Sequence, residues 1–182
     1  MNDLTLWGKL KEGDRAAFEE IYRAHAATLL KYGRKFSRND QLIEDCVQDL
    51  FVELWRNREG LGMTDSIHFY LLVALRRKVI KNLSTSQKRL SEAEPTEVDF
   101  DAEITVDQQL IEEELSTERA TQLKEAMEKL SKRQKEVIYL KYITGLDYED
   151  ISEVMGLNYQ SARNLVSAAL RAMKKQILMF FW

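Results

Sequence analysis

Apolar residues return every three or four positions along most of the chain, the spacing that keeps them on one side of an α-helix. Leu4–Leu10 is a short amphipathic start. Asp14 then caps a helix running to about Phe36, with Phe18, Ile21, Tyr22, Leu29 and Leu30 largely on one side. A carboxylate suits the cap because it accepts from the free N–H groups of the first turn. A second long helix begins at Asn39 or Asp40, ends before Gly60 and buries Ile43, Val47, Leu50, Phe51 and Leu54. Ser66 caps a third that runs to about Leu83 and buries Leu72, Leu75, Val79 and Leu83. Further on, the pattern predicts a helix from about Asp107 to Leu130 and three more, capped by Ser131, Asp147 and Asn158.

Between Leu83 and Asp107 the period stops. Ser84-Thr85-Ser86 is followed by Glu92, Glu94, Pro95, Glu97, Asp99, Asp101 and Glu103 with no apolar face, so residues 85–106 are expected to be a flexible acidic linker. The predicted fold is all-α, with two small helical domains at residues 1–84 and 107–182. Composition agrees: one proline and seven glycines among 182 residues favour long helices over a turn-rich β fold.

The net charge of −3 argues against nucleic-acid binding until it is divided along the chain. Residues 1–84 carry 14 basic and 12 acidic groups, residues 85–119 carry 3 and 11, and residues 120–182 carry 10 and 7. The acidity is concentrated in the middle, and both ends are mildly basic. Cys46 is the only cysteine, which excludes an internal disulfide and fits a reducing, cytoplasmic setting. Met1-Asn2-Asp3 opens no basic region followed by an apolar stretch and no apolar run approaches the ~20 residues of a membrane span, so neither export nor a membrane span is expected.

The segment Asp147–Arg171 has the layout of a helix-turn-helix. Ile151, Val154 and Met155 make its first helix apolar, Gly156 permits a sharp turn and Leu157 plugs the gap between helices. At about 100° per residue, Ala162, Val166, Ala169, Leu170, Met173 and Ile177 share one face of the second helix. Gln160, Asn164, Ser167 and Arg171 project from the other, with Ser161 beside them and Arg163, Lys174 and Lys175 on the flanks. Amides can pair with adenine edges, and arginine with guanine or phosphate. A solvated helix face can carry the same residues, so the capped first helix and the glycine turn are what favour DNA.

Together with Leu130–Tyr142 and Gly145–Ile151, this segment resembles the region-four domain of sigma factors, whose helix-turn-helix reads the upstream promoter element. The match runs from Leu130 to Lys175. It departs at Leu165 and Ala168, where the family often has arginines; each lost phosphate contact removes about one released counterion from the salt dependence. In the first half, Ile43–Arg56 places Asp45, Gln48, Asp49, Val52 and Arg56 opposite its apolar face. That stripe resembles the region-two helix that docks on the largest subunit of core RNA polymerase.

The third helix carries Tyr70, Ala74, Arg77 and Lys81 on its outer face with Lys78 alongside. An aromatic among cations suits single-stranded DNA, since bases stack while cations follow phosphates. This resembles the sigma segment that captures the downstream promoter element as it melts, and the preceding loop, Asn57–Asp65, lies where the family holds a flipped-out base. Arg77 stands where asparagine is common in the family, and Arg76 falls nearer the buried side; either can instead lie along a structural helix.

The resemblance spans residues 13–84 and 130–175 and lacks the longer middle domains of housekeeping sigma factors. It implies a sigma-70 family member of the small extracytoplasmic-function (ECF) class, whose partners are core RNA polymerase and promoter DNA, with an anti-sigma factor as a further candidate partner. A stand-alone helix-turn-helix regulator and a purely protein-binding adaptor are the alternatives. The apolar end Ile177–Trp182 either folds back or docks a partner. His25 and His68 have no third ligand in view, Gly60-Leu61-Gly62 lacks the setting of a nucleotide loop, and no nucleophile system stands out, so neither catalysis, metal nor cofactor is expected.

Overall fold

The computed structural model describes residues 2–90, 100 and 117–179. The chain divides into two compact units, Met1–Val98 and Asp99–Trp182, and all regular structure among the described residues is helical.

In the first unit, α1 (Asp3–Lys11), α2 (Arg15–Gly33), α3 (Asp40–Arg56) and α4 (Ile67–Leu90) follow one another, with a 3-10 turn at Arg58–Gly60. Each helix start is capped by a side-chain oxygen that accepts from a first-turn N–H. Asn2 accepts from Thr5 at 2.9 Å, Asp14 from Ala16 at 2.8 Å, Asn39 from Leu42 at 3.1 Å and Ser66 from Phe69 at 3.2 Å. Such a cap contributes about 1 kcal/mol. Helices α2, α3 and α4 pack on one another around Ile21, Leu29, Tyr32, Ile43, Leu50, Leu71, Leu72, Leu75 and Val79, and α1 adds Trp7 and Leu10. At Gly33 a Cβ would lie 2.6 Å from the Ile43 side chain, so the approach of α2 to α3 there requires glycine.

Three expectations change in this unit, the first being that Leu83, expected to be buried, is half-buried. The buried stripe of α2 is Ala17, Ile21, Leu29 and Tyr32, while Tyr22 is 44% exposed and Phe18 and Leu30 are half-buried. Phe18 and Tyr22 instead cover the seam with α3, their rings 5.2 Å from Trp55 and 4.8 Å from Phe51. Helix α4 also runs past Leu83 to Leu90, into the expected linker. The Ser84 and Thr85 hydroxyls, at the start of that stretch, donate back to the Lys81 carbonyl at 2.9 and 2.8 Å and leave the helix intact.

The second unit contains α5 (Thr117–Glu128), α6 (Lys132–Ile138), a π turn at Tyr139–Ile143, α7 (Tyr148–Met155) and α8 (Tyr159–Met179). Ser131 and Gln134 form a reciprocal capping box at the start of α6. Helices α5, α6 and α7 all pack on α8 and enclose Ala126, Val137, Leu140, Ile151, Val154, Ala162, Val166 and Ala169. Phe100, expected in the linker, is buried in this unit with its ring edge-on to Tyr139. On α8 the inward stripe is Ala162, Val166, Ala169 and Met173; Leu170, one residue out of step, is 41% exposed and not buried as expected. The remainder of the expected linker, the start of the helix expected from Asp107 and the last three residues of the apolar tail lie outside the described residues.

Candidate nucleic-acid and protein interfaces

Helix α3 buries Ile43, Cys46, Val47, Leu50, Phe51 and Leu54, and that choice forces Asp45, Gln48, Asp49, Val52 and Arg56 outward. All five are exposed and lie at three- and four-residue spacing along one face. Gln41 donates to Asp45 at 2.8 Å and fixes the upper end of the stripe. Val52 is 53% exposed, an apolar centre within a charged rim. That is the layout of a small protein-docking patch.

The four expected strand-binding residues of α4 separate into two groups. Arg77 and Lys81 are exposed one turn apart. Lys78, by contrast, turns to α3: its ammonium lies 2.7 Å from Glu53 Oε1 and 4.0 Å from Asp49 Oδ2, with the side chain only 16% exposed. It therefore joins the two helices more than it offers a free cation. Tyr70 is half-buried, its ring 4.9 Å from the indole of Trp7 in an edge contact. Burial, and secondly Glu53, push its phenol pKa up.

The loop from Asn57 to Asp65 is held in place at several points. Arg58 lies over the Trp55 ring at 4.6 Å and donates to the Trp55 carbonyl at 2.9 Å. The Trp7 indole N–H donates to the Gly62 carbonyl at 2.8 Å, and the Lys11 ammonium donates to the Leu61 carbonyl. Asp3 accepts from the Ile67 N–H at 2.8 Å where the loop enters α4. Met63 is left 61% exposed. Sequence reasoning missed Asp3, Trp7 and Lys11, because only the fold brings them to a loop some fifty residues away. The sole signal was a tryptophan within a short amphipathic helix.

His25 and His68, far apart in sequence, stack at 5.7 Å between α2 and α4. Burial lowers the pKa of both; for His68 the neighbouring His25 lowers it further, while Asp3 opposes the shift in each. Among the described residues no three His, Cys, Asp or Glu side chains are grouped to hold a metal ion. Nor is any described helix long and apolar enough to cross a membrane.

In the second unit Asp147 caps α7 by accepting from Asp150 at 2.8 Å. Gly156 ends that helix in the left-handed region at φ 63°, and the Leu157 N–H closes the turn onto the Ser152 carbonyl at 2.8 Å. Asn158 then caps α8 through the Ser161 N–H at 2.7 Å. With Ala162 and Val166 anchored inward, Gln160, Arg163, Asn164, Ser167, Arg171 and Lys174 are all exposed, and Ser161 is half-buried. The Gln160 amide donates to Asn164 at 3.0 Å, which joins two amide side chains on adjacent turns of the exposed face. Leu165 and Ala168, the departures from the family pattern, are half-buried.

Two family models match this chain: "Sigma-70 region 2" over residues 21–89 and "Sigma-70, region 4" over residues 120–173. An ECF RNA polymerase sigma-E factor of Haemophilus influenzae is 27% identical over 97% of this chain and 96% of its own. An ECF RNA polymerase sigma factor SigK of Mycolicibacterium vanbaalenii is 22% identical over 94% of this chain and 87% of its own. Among solved structures, CnrH in complex with the cytosolic domain of CnrY superposes with a TM-score of 0.61 at 18% identity, covering 95% of each chain. The sigma factor RpoE in complex with the anti-sigma factor NepR from Bartonella quintana gives 0.61 at 18% identity, over 88% of this chain and 96% of that one.

Proposed function

The chain belongs to the sigma-70 family, in its ECF class, and we propose how its surfaces divide the work of starting transcription. It is a sigma factor and directs initiation by core RNA polymerase. In this reading the α3 stripe of Asp45, Gln48, Asp49, Val52 and Arg56 docks on the polymerase. Helix α8 reads the upstream element through Gln160, Asn164, Ser167 and Arg171, with Arg163 and Lys174 on phosphates and the Ser161 hydroxyl beside them. Arg77 and Lys81 follow the backbone of the opened downstream strand, next to the Asn57–Asp65 loop. The chain carries no reaction of its own and acts in the compartment that holds the polymerase.

The observation that carries this reading is the order of parts in one chain: an exposed acidic-polar stripe and a basic helix in the first unit, then a capped helix-turn-helix with an amide-and-cation face in the second. A partner of the anti-sigma kind is proposed as well, since the RpoE of similar fold is held by such a protein.

Run-off transcription and gel shift test the reading together. Core polymerase with this chain should initiate at a cognate promoter, core alone should not, and the free chain should bind that DNA weakly. Tight, dimeric operator binding by the pure protein, with no gain in transcription, would assign it to the stand-alone regulators instead.

A further inference from the structure

Helix α1 lies outside both matched family segments, yet it supplies three of the bonds that hold the loop between α3 and α4. Beyond the 3-10 turn at Arg58–Gly60, residues Leu61 to Ser66 belong to no helix. Their backbone groups must therefore find partners elsewhere. Two successive carbonyls do so on α1: Leu61 accepts from the Lys11 ammonium and Gly62 from the Trp7 indole at 2.8 Å. Asp3 takes the Ile67 N–H at the far end, and Trp7 also packs on Tyr70 in the first turn of α4. With both carbonyls pinned, Met63 is turned outward.

We propose that α1 is the positioning element of the strand-capturing loop, with Trp7 and Lys11 as positioning residues that fix its backbone before DNA arrives. The inference rests on the proposed role of the loop in holding an unpaired base. Extrusion of a base costs a few kcal/mol, which contacts in a ready-made site can offset. A loop that must first be ordered offsets less, because its own conformational entropy is lost at the same moment. The two α1 bonds remove that cost during folding of the protein, so they affect strand opening and not docking on the polymerase.

The test uses the full chain assembled with core polymerase on a duplex promoter carrying 2-aminopurine in the downstream element. Opening is followed by fluorescence, and core affinity is measured separately. Lys11→Met keeps the aliphatic stem and Trp7→Phe keeps an aromatic ring. Each should slow opening about fivefold, the effect of one lost hydrogen bond, with core affinity unchanged. Lys11→Arg should restore the rate, and Met63→Ala should slow opening through the loop's outer side. If Met63→Ala is slow while both α1 variants open normally, the loop reading stands and the positioning role of α1 fails. If none of the three has an effect, the loop reading fails and takes this inference with it. Slow opening in the α1 variants without any effect of Met63→Ala overturns the inference, and so does a parallel loss of core affinity, which would make α1 a structural part of the unit only.

Discussion

At the scale of single residues, burial separates groups that look alike in sequence. Lys78 and Lys81 are two cations on one helix, yet Lys78 is held between Glu53 and Asp49 while Lys81 is exposed. A double-mutant cycle of Lys78→Met with Glu53→Gln should therefore give a stability coupling of about 0.2–1 kcal/mol, since the half-exposed Glu53 carboxylate keeps the pair screened by solvent. The same cycle between Lys81 and Glu53 should give none. The stacked pair His25 and His68 makes a second prediction. Burial lowers both pKa values below the ordinary 6.5, so the unfolded chain takes up protons before the folded one as pH falls. The stability this pair leaves intact above about pH 6.5 is lost progressively as pH falls through the folded values. Denaturant melts at a series of pH values should show stability dropping through that window. A His25→Gln, His68→Gln variant should lose that part of the slope, and an unchanged slope would assign it to other groups.

At the scale of elements, what was legible in the sequence was whatever a periodic pattern and a local cap encode. The caps at Asp14, Asn39, Ser66, Ser131, Asp147 and Asn158 are all formed, because each is a bond between neighbours in the chain. The α3 stripe and the outer face of α8 were equally legible, since burial of one face dictates the other. Tyr70 and Lys78 were not, because an edge contact to Trp7 and an ion pair to Glu53 come from distant elements. Phe100 was hidden by its acidic surroundings, and the bracing of the loop by α1 has no local signature at all. Two predictions belong at this scale. Gly156→Ala places a Cβ at φ 63° and should destabilise the second unit by about 1 kcal/mol, seen as a lower melting temperature with secondary structure retained. Asp49→Arg, on the exposed stripe, should leave helicity intact while core polymerase is no longer co-purified. Retention of wild-type core binding would remove the docking role from that face.

At the scale of the whole molecule, a net charge of −3 and only a few exposed cations on each of the two helices proposed to meet DNA leave the free chain a small electrostatic share in DNA binding. Specific initiation must then come from the assembly, in which the polymerase supplies general affinity and this chain supplies selection and opening. Those two contributions can be separated. Arg77 and Lys81 stand one turn apart on α4, where a single strand tracked by phosphate contacts would meet both. Replacing both with alanine removes two such contacts, each worth about 0.7 in the salt slope for single-stranded DNA. On a closed duplex promoter the variant must also offset unpairing with fewer contacts, so its opening should be slowed most there. A template whose downstream element is already unpaired removes that cost but not the missing contacts, so its rescue should be partial. Permanganate reactivity of the downstream thymines, followed over time on both templates, measures the difference. Equal defects on closed and pre-opened DNA would place Arg77 and Lys81 in general affinity, and the opening step would then have to be sought elsewhere on the first unit.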